Sequence, residues 1–307
     1  MVTMEACSNI HQRLNRQWAV RVDFASHGQG GKGVRKQSDW YSNLIESPHA
    51  IRLGGRRAHD VAGNVGDALT SGGLLPPFLK WAGGKRWLMP LARQLAAEKI
   101  ETYYEPFVGS GAMFFALRPV RAVLSDSNEE LIQTYKAIRT DWQAVVSELK
   151  RHHRNHCADY YYKIRSSIPR VPHTQAARFI YLNRTCWNGL YRVNRRGVFN
   201  TPIGTKTSVV LQNDDFGAVA SLLKGVSLHA GDFERVIDKA GKGDFVFSDP
   251  PYTVRHQFNG FVKYNEKLFS WADQERLMAA LQRAKSRGAK ILCTNADHQS
   301  VRELYAT

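Results

Sequence analysis

The chain has 307 residues, with 43 Lys and Arg against 27 Asp and Glu, a formal net charge of +16 and four cysteines. That length accommodates one large α/β domain with a smaller insertion, and the charge points away from an ordinary metabolic enzyme and toward a polyanionic partner. Cys7, Cys157, Cys186 and Cys293 are dispersed and form no C-x-x-C pair, which excludes a disulfide framework and a zinc ribbon.

Residues 1–75 have weak apolar periodicity and hold ten of the 24 glycines, between Gly28 and Gly73. They read as a flexible extension without a signal-peptide pattern. From Pro76 the pattern changes. Strands are predicted at Thr102–Val108 and Arg121–Ser125, a helix starts at Ala112–Leu117, and a longer helix covers Asn128–Lys150. Three further short apolar strands fall at Val226–Ala230, Asp244–Ser248 and Ala289–Thr294. Ser270 and Asp273 predict an N-cap for a helix running to about Arg287 and closed by Gly288. Alternating strands and helices predict a doubly wound, mostly parallel sheet. The catalytic domain is expected over 76–150 and 215–307, with a mainly helical insertion at 151–214.

From Tyr160 to Asn213 the chain contains no acidic residue. Basic residues (Lys163, Arg165, Arg170, Arg178, Arg184, Arg192, Arg195, Arg196, Lys206) alternate there with aromatics and amides such as Tyr181, Asn183, Trp187, Asn188, Tyr191 and Asn194. This segment is expected to form a phosphate-tracking surface. His152, His153, His156 and Cys157 invite a metal reading, but the surrounding Lys150, Arg151 and Arg154 favour a basic surface, and no metal is expected. No window supplies the roughly 18 uncharged apolar residues of a membrane span, so a soluble cytoplasmic protein is expected.

Three groups carry chemistry. Glu105-Pro-Phe-Val-Gly-Ser-Gly111 follows a strand and opens a helix, as a loop closely approached by a ligand must. Asp126 ends the next strand, where a carboxylate either receives ribose hydroxyls or caps a helix. Asp249-Pro-Pro-Tyr252 ends a buried strand. There an aspartate and a fixed proline carbonyl can accept both hydrogens of an aromatic amine, and an aromatic ring can stack on the base. The simpler reading is a Pro-Pro turn.

Taken in order, Lys80-Trp-Ala-Gly-Gly-Lys85, Phe107-Val-Gly-Ser-Gly111, the basic segment and Asp249-Pro-Pro-Tyr252 resemble the Dam-type (D12 class) DNA adenine-N6 methyltransferases, from about Pro76 to Tyr305. The resemblance implies a class I S-adenosylmethionine-dependent methyltransferase fold and a bacterial or phage enzyme. It implies methylation of a flipped adenine at a short GATC-like site, with or without a restriction partner. It assigns Trp81, Ala82, Gly83, Lys85, Phe107, Gly109, Gly111, Asp126, Asp232 and Phe233 to S-adenosylmethionine. Lys80, which precedes Trp81, is assigned to DNA, as are Asn188, Arg192, Asn194, Arg195 and Arg196 within a recognition segment spanning Tyr181–Gly204. Asp249, Pro250, Pro251 and Tyr252 are assigned to catalysis. The match departs at Val193, where some relatives carry an aromatic wedge. Cytosine N4 is the alternative acceptor, and no obligate protein partner is evident. Relatives order their strands 3-2-1-4-5-7-6, and the shorter continuation here predicts a bare edge at Ala289–Thr294, hence self-association and an impaired, DNA-binding relic as a further alternative.

Overall fold

The computed structural model describes residues 19–23, 75–81, 99–194, 197–253 and 269–306. Ala82, Gly83, Lys85, Arg195 and Arg196 lie outside these residues. The described residues form two compact units, one within Leu74–Phe247 and the other within Met1–Gly73 and Ser248–Thr307. The segment 151–214 falls wholly inside the first.

That first unit is built on parallel strands. β2 (Tyr103–Glu105) pairs with β3 (Ala122–Asp126) and with β5 (Phe245–Ser248), and β3 pairs along its whole length with β4 (Val226–Ala230). The order β4-β3-β2-β5 is the 3-2-1-4 portion of the expected sheet. β5 is buried at every position, which is why its sequence, Phe-Val-Phe-Ser, lacks polar alternation.

Helix α1 (Ala112–Leu117) follows β2, and α2 (Glu129–Asn155) follows β3. Asn128 caps α2 by accepting the Leu131 N–H. The helix is kinked at Asp141, whose backbone is non-helical and whose carboxylate accepts the Ala144 N–H at 3.0 Å. An aspartate competing for backbone donors restarts the helix there. α3 (Ala158–Ser166) and α4 (Pro172–Thr185) continue the chain, and α4 packs along α2. A 3₁₀ turn (Trp187–Gly189), α5 (Phe216–Leu223) and α6 (Glu234–Ile237) complete the unit.

In the second unit α7 (Trp271–Ser286) begins with the expected capping box between Ser270 and Asp273, and Gly288 has φ 93° just past its end. β6 (Lys290–Asn295) and α8 (Gln299–Tyr305) follow. The edge expected to be bare has a partner. β1 (Ala19–Asp23), from the segment read as a flexible extension, runs antiparallel to β6 from Ala19↔Asn295 to Asp23↔Ile291. Pairing across some 270 residues leaves no local mark in the sequence, and backbone ladders satisfy edge groups that would otherwise recruit another chain.

Candidate active site

The loop after β2 turns at Gly109 and Gly111, with φ of 47° and 68°. A Cβ on Gly109 would lie 2.6 Å from Cδ1 of Trp81, so only glycine lets this loop close on the indole. Tyr135 of α2 donates to the Gly109 carbonyl at 3.1 Å, and Tyr103 donates to buried Glu105 at 2.8 Å. Neither tyrosine was singled out from sequence, because both look like ordinary core aromatics.

Asp126 ends β3 with both oxygens engaged. Oδ2 accepts the Gly109 N–H at 3.1 Å and Oδ1 the Asn128 N–H at 3.0 Å. Burial raises its pKa, while the backbone donors pull in the opposite direction. The cap of α2 belongs to Asn128. Phe107 and Phe233 face one another at 5.3 Å between ring centroids. Asp232 accepts the Glu234 N–H at the start of α6. The structure thus brings Trp81, Gly109 and Asp126 together, and separately pairs Phe107 with Phe233.

Trp81 also stacks on Tyr191 and Phe179, at 5.8 and 6.4 Å. Lys80 is held at its backbone by Asn183, which accepts the Lys80 N–H at 2.9 Å and donates to its carbonyl at 2.7 Å. The Lys80 ammonium donates to the Arg184 carbonyl at 3.3 Å, and burial, then the nearby Lys206 charge, lowers its pKa.

The acid-free segment is expected to form a phosphate-tracking surface, and two of the arginines counted toward it are interior instead. Arg184 is buried and pairs with Asp214 through two bonds of 2.6 and 2.7 Å. It also donates to the Phe78 and Val209 carbonyls. Arg178 is buried too, donating to the Ile164 and Arg165 carbonyls, with Glu130 at 3.7 Å. Asp214 directly follows the window and Glu130 lies far upstream of it, so the acid-free count concealed both. His152 is likewise interior rather than part of a basic surface: its ring stacks on Tyr181 at 4.8 Å and its Nδ1 lies 2.8 Å from the Tyr160 hydroxyl. Among the described residues no group of three or more His, Cys, Asp or Glu could hold a metal ion, and no helix is long and apolar enough to cross a membrane.

Asn188, Arg192 and Asn194, expected from sequence to meet DNA, are exposed. Trp187 and Asn188 stand on the 3₁₀ turn, where Asn188 has φ 54°. Arg192 donates to Asn200 at 3.0 Å. Val193 bridges Phe199, and Asn194 bonds Val198 through both backbone and side chain, making a small hairpin.

Asp249 follows β5 directly. The Tyr252 hydroxyl donates to Asp249 Oδ1 at 3.0 Å, and the Thr294 hydroxyl donates to the same oxygen at 2.6 Å. Burial, reinforced by the Asp249 charge, raises the Tyr252 pKa, so the phenol keeps its proton. Thr294, on a strand distant in sequence, was not anticipated.

Parallel strands joined through helices, with a glycine turn after β2 and a carboxylate ending β3, define the α/β architecture of a class I methyltransferase. The chain belongs to the D12 class of N6 adenine-specific DNA methyltransferases, whose profile matches residues 81–307. It is 36% identical to the type II methyltransferase M1.LlaDCHI of Lactococcus lactis subsp. cremoris, over 75% of this chain and 84% of that protein. It is 35% identical to the type II methyltransferase M.MjaIII of Methanocaldococcus jannaschii, over 72% of this chain and 84% of that protein. It is 31% identical to the DNA adenine methylase of Haemophilus influenzae, over 75% of this chain and 82% of that protein.

Proposed function

We propose that this enzyme transfers the methyl group of S-adenosylmethionine to N6 of an adenine flipped out of double-stranded DNA, at a short GATC-like site. The observation that carries the reading is the Asp249 carboxylate, fixed by Tyr252 immediately after a fully buried strand. In this reading Asp249 and the Pro250 carbonyl accept the two amino hydrogens, which concentrates the nitrogen lone pair for attack. The donor supplies an activated methyl. As the N6–carbon bond forms, the sulfur–carbon bond breaks, the sulfur keeps the electron pair, and the N6 proton leaves toward Asp249.

The residues near β2 and β3 suit such a donor. A strand-end carboxylate, Asp126, matches paired ribose hydroxyls, and Phe107, Asp232 and Phe233 offer rings and an acceptor for an adenine. Trp81, Gly109 and Gly111 line the same loop, with Ala82, Gly83 and Lys85 assigned by the family resemblance. For DNA, Lys80, Asn188, Arg192 and Asn194, with Arg195 and Arg196, supply donors for bases and phosphates. Incorporation of labelled methyl into adenine-containing but not adenine-free duplex, abolished by Asp249→Ala with S-adenosylmethionine affinity retained, is the expected result. Equal labelling of adenine-free DNA would refute it.

A further inference from the structure

Thr294 is 1% exposed near the end of β6, and its hydroxyl lies 2.6 Å from Asp249 Oδ1. An ionised carboxylate can only accept, so the threonine must donate, and the distance is that of a charge-assisted O–H···O bond. With the Tyr252 hydroxyl on the same oxygen, two donors fix the rotation of the carboxylate about its Cβ–Cγ bond. The strand bearing Thr294 is itself held in place. Asn295 donates to Gln274 of α7 at 3.0 Å, Tyr305 of α8 donates to the same amide oxygen at 3.1 Å, and Val20 of β1 pairs with Thr294 in the ladder.

We propose that Thr294 is a positioning residue for methyl transfer, aiming the Asp249 carboxylate at the amino group of the target base. The inference rests on the role proposed above for Asp249. Thr294 touches neither substrate nor donor in this scheme and acts through the carboxylate alone. β6, and through it β1, becomes part of the catalytic apparatus rather than only the margin of a sheet.

The test uses the full chain in single-turnover methylation of an adenine-containing duplex, with dissociation constants for S-adenosylmethionine and DNA measured alongside. Thr294→Val keeps shape and removes the donor. A hydrogen bond to a charged group contributes about 1.5–3 kcal/mol, so the rate should fall about 10- to 100-fold with both dissociation constants unchanged. Thr294→Ser, which restores the hydroxyl, should stay within about 3-fold of the parent. If Thr294→Val folds poorly, Thr294→Ala and Thr294→Ser, compared at a temperature where both are folded, carry the same contrast. A Thr294→Val rate equal to the parent, or Ala equal to Ser, overturns the positioning role while Asp249→Ala remains inactive. An active Asp249→Ala would instead overturn the reading on which the proposal rests.

Discussion

Replacing Asp214 by Asn tests how the loop carrying Lys80 and Trp81 is held. Arg184 uses all five guanidinium hydrogens: Nε and Nη2 on the Phe78 carbonyl, Nη1 on that of Val209, and both terminal nitrogens on Asp214. The side chains are only 2% and 8% exposed. Asparagine removes the compensating charge and turns an amide donor toward the cation. Breaking a buried pair on one side costs about 3–5 kcal/mol, because the remaining charge stays buried and uncompensated. For a unit the size of Leu74–Phe247, each kcal/mol shifts Tm by about 2–4 °C, giving a loss of roughly 6–20 °C. Differential scanning calorimetry of Asp214→Asn measures it. The double replacement Arg184→Met with Asp214→Leu should recover only part of the loss, since it removes both buried charges but also the donors to the Phe78 and Val209 carbonyls. A Tm within about 2 °C of the parent for Asp214→Asn would refute the reasoning.

Three further outcomes are expected. Burial, and then the Arg151 charge, depress the His152 pKa to about 4, and its buried Nε2 has no hydrogen-bond partner among the described residues. The unfolded chain takes up this proton near pH 6.5 and the folded chain only near 4. The associated stability is therefore complete above about pH 6.5 and is lost as pH falls toward 4. Chemical denaturation at pH 7.5 and 5 should show a shallower pH slope for His152→Phe than for the parent; identical slopes would exclude this site. Along β1 successive N–H groups point to opposite sides, so one of Val20→Pro and Arg21→Pro must remove a ladder donor to β6. That variant should lose about 1–3 kcal/mol and self-associate in sedimentation, and two unaffected variants would contradict the pairing. Asp126→Ala should weaken S-adenosylmethionine binding, read by calorimetric titration, more than it slows single-turnover chemistry at saturating donor. An unchanged dissociation constant removes Asp126 from that role.

Local patterns were legible. The capping box at Ser270 and Asp273, the strand at Val226–Ala230 and the glycine turn at Gly109 and Gly111 each depend on neighbouring residues, and the structure bears them within two residues of the expected bounds. Asn155 ends α2 five residues later than expected, since nothing between Lys150 and Asn155 breaks a helix. What escaped depended on long-range partners. Arg184 and Arg178 carry the same side chain as a phosphate-binding arginine, and only the fold reveals that Asp214 and Glu130 meet them. β1 is only five residues long, ahead of the glycine-rich stretch, and the β6 strand it pairs with lies some 270 residues away in the chain. In sequence Thr294 is only the end of an apolar strand, although its hydroxyl reaches a carboxylate 45 residues earlier in the chain.

The most direct measurement of the central claim is the identity of the methylated nucleoside. Duplex DNA containing all four bases, incubated with the purified 307-residue chain and S-adenosylmethionine, then digested and resolved by liquid chromatography with mass spectrometry, should yield N6-methyldeoxyadenosine alone and none with Asp249→Ala. Recovery of N4-methyldeoxycytidine, or of N6-methyldeoxyadenosine from the Asp249→Ala enzyme at the parental rate, would contradict the account.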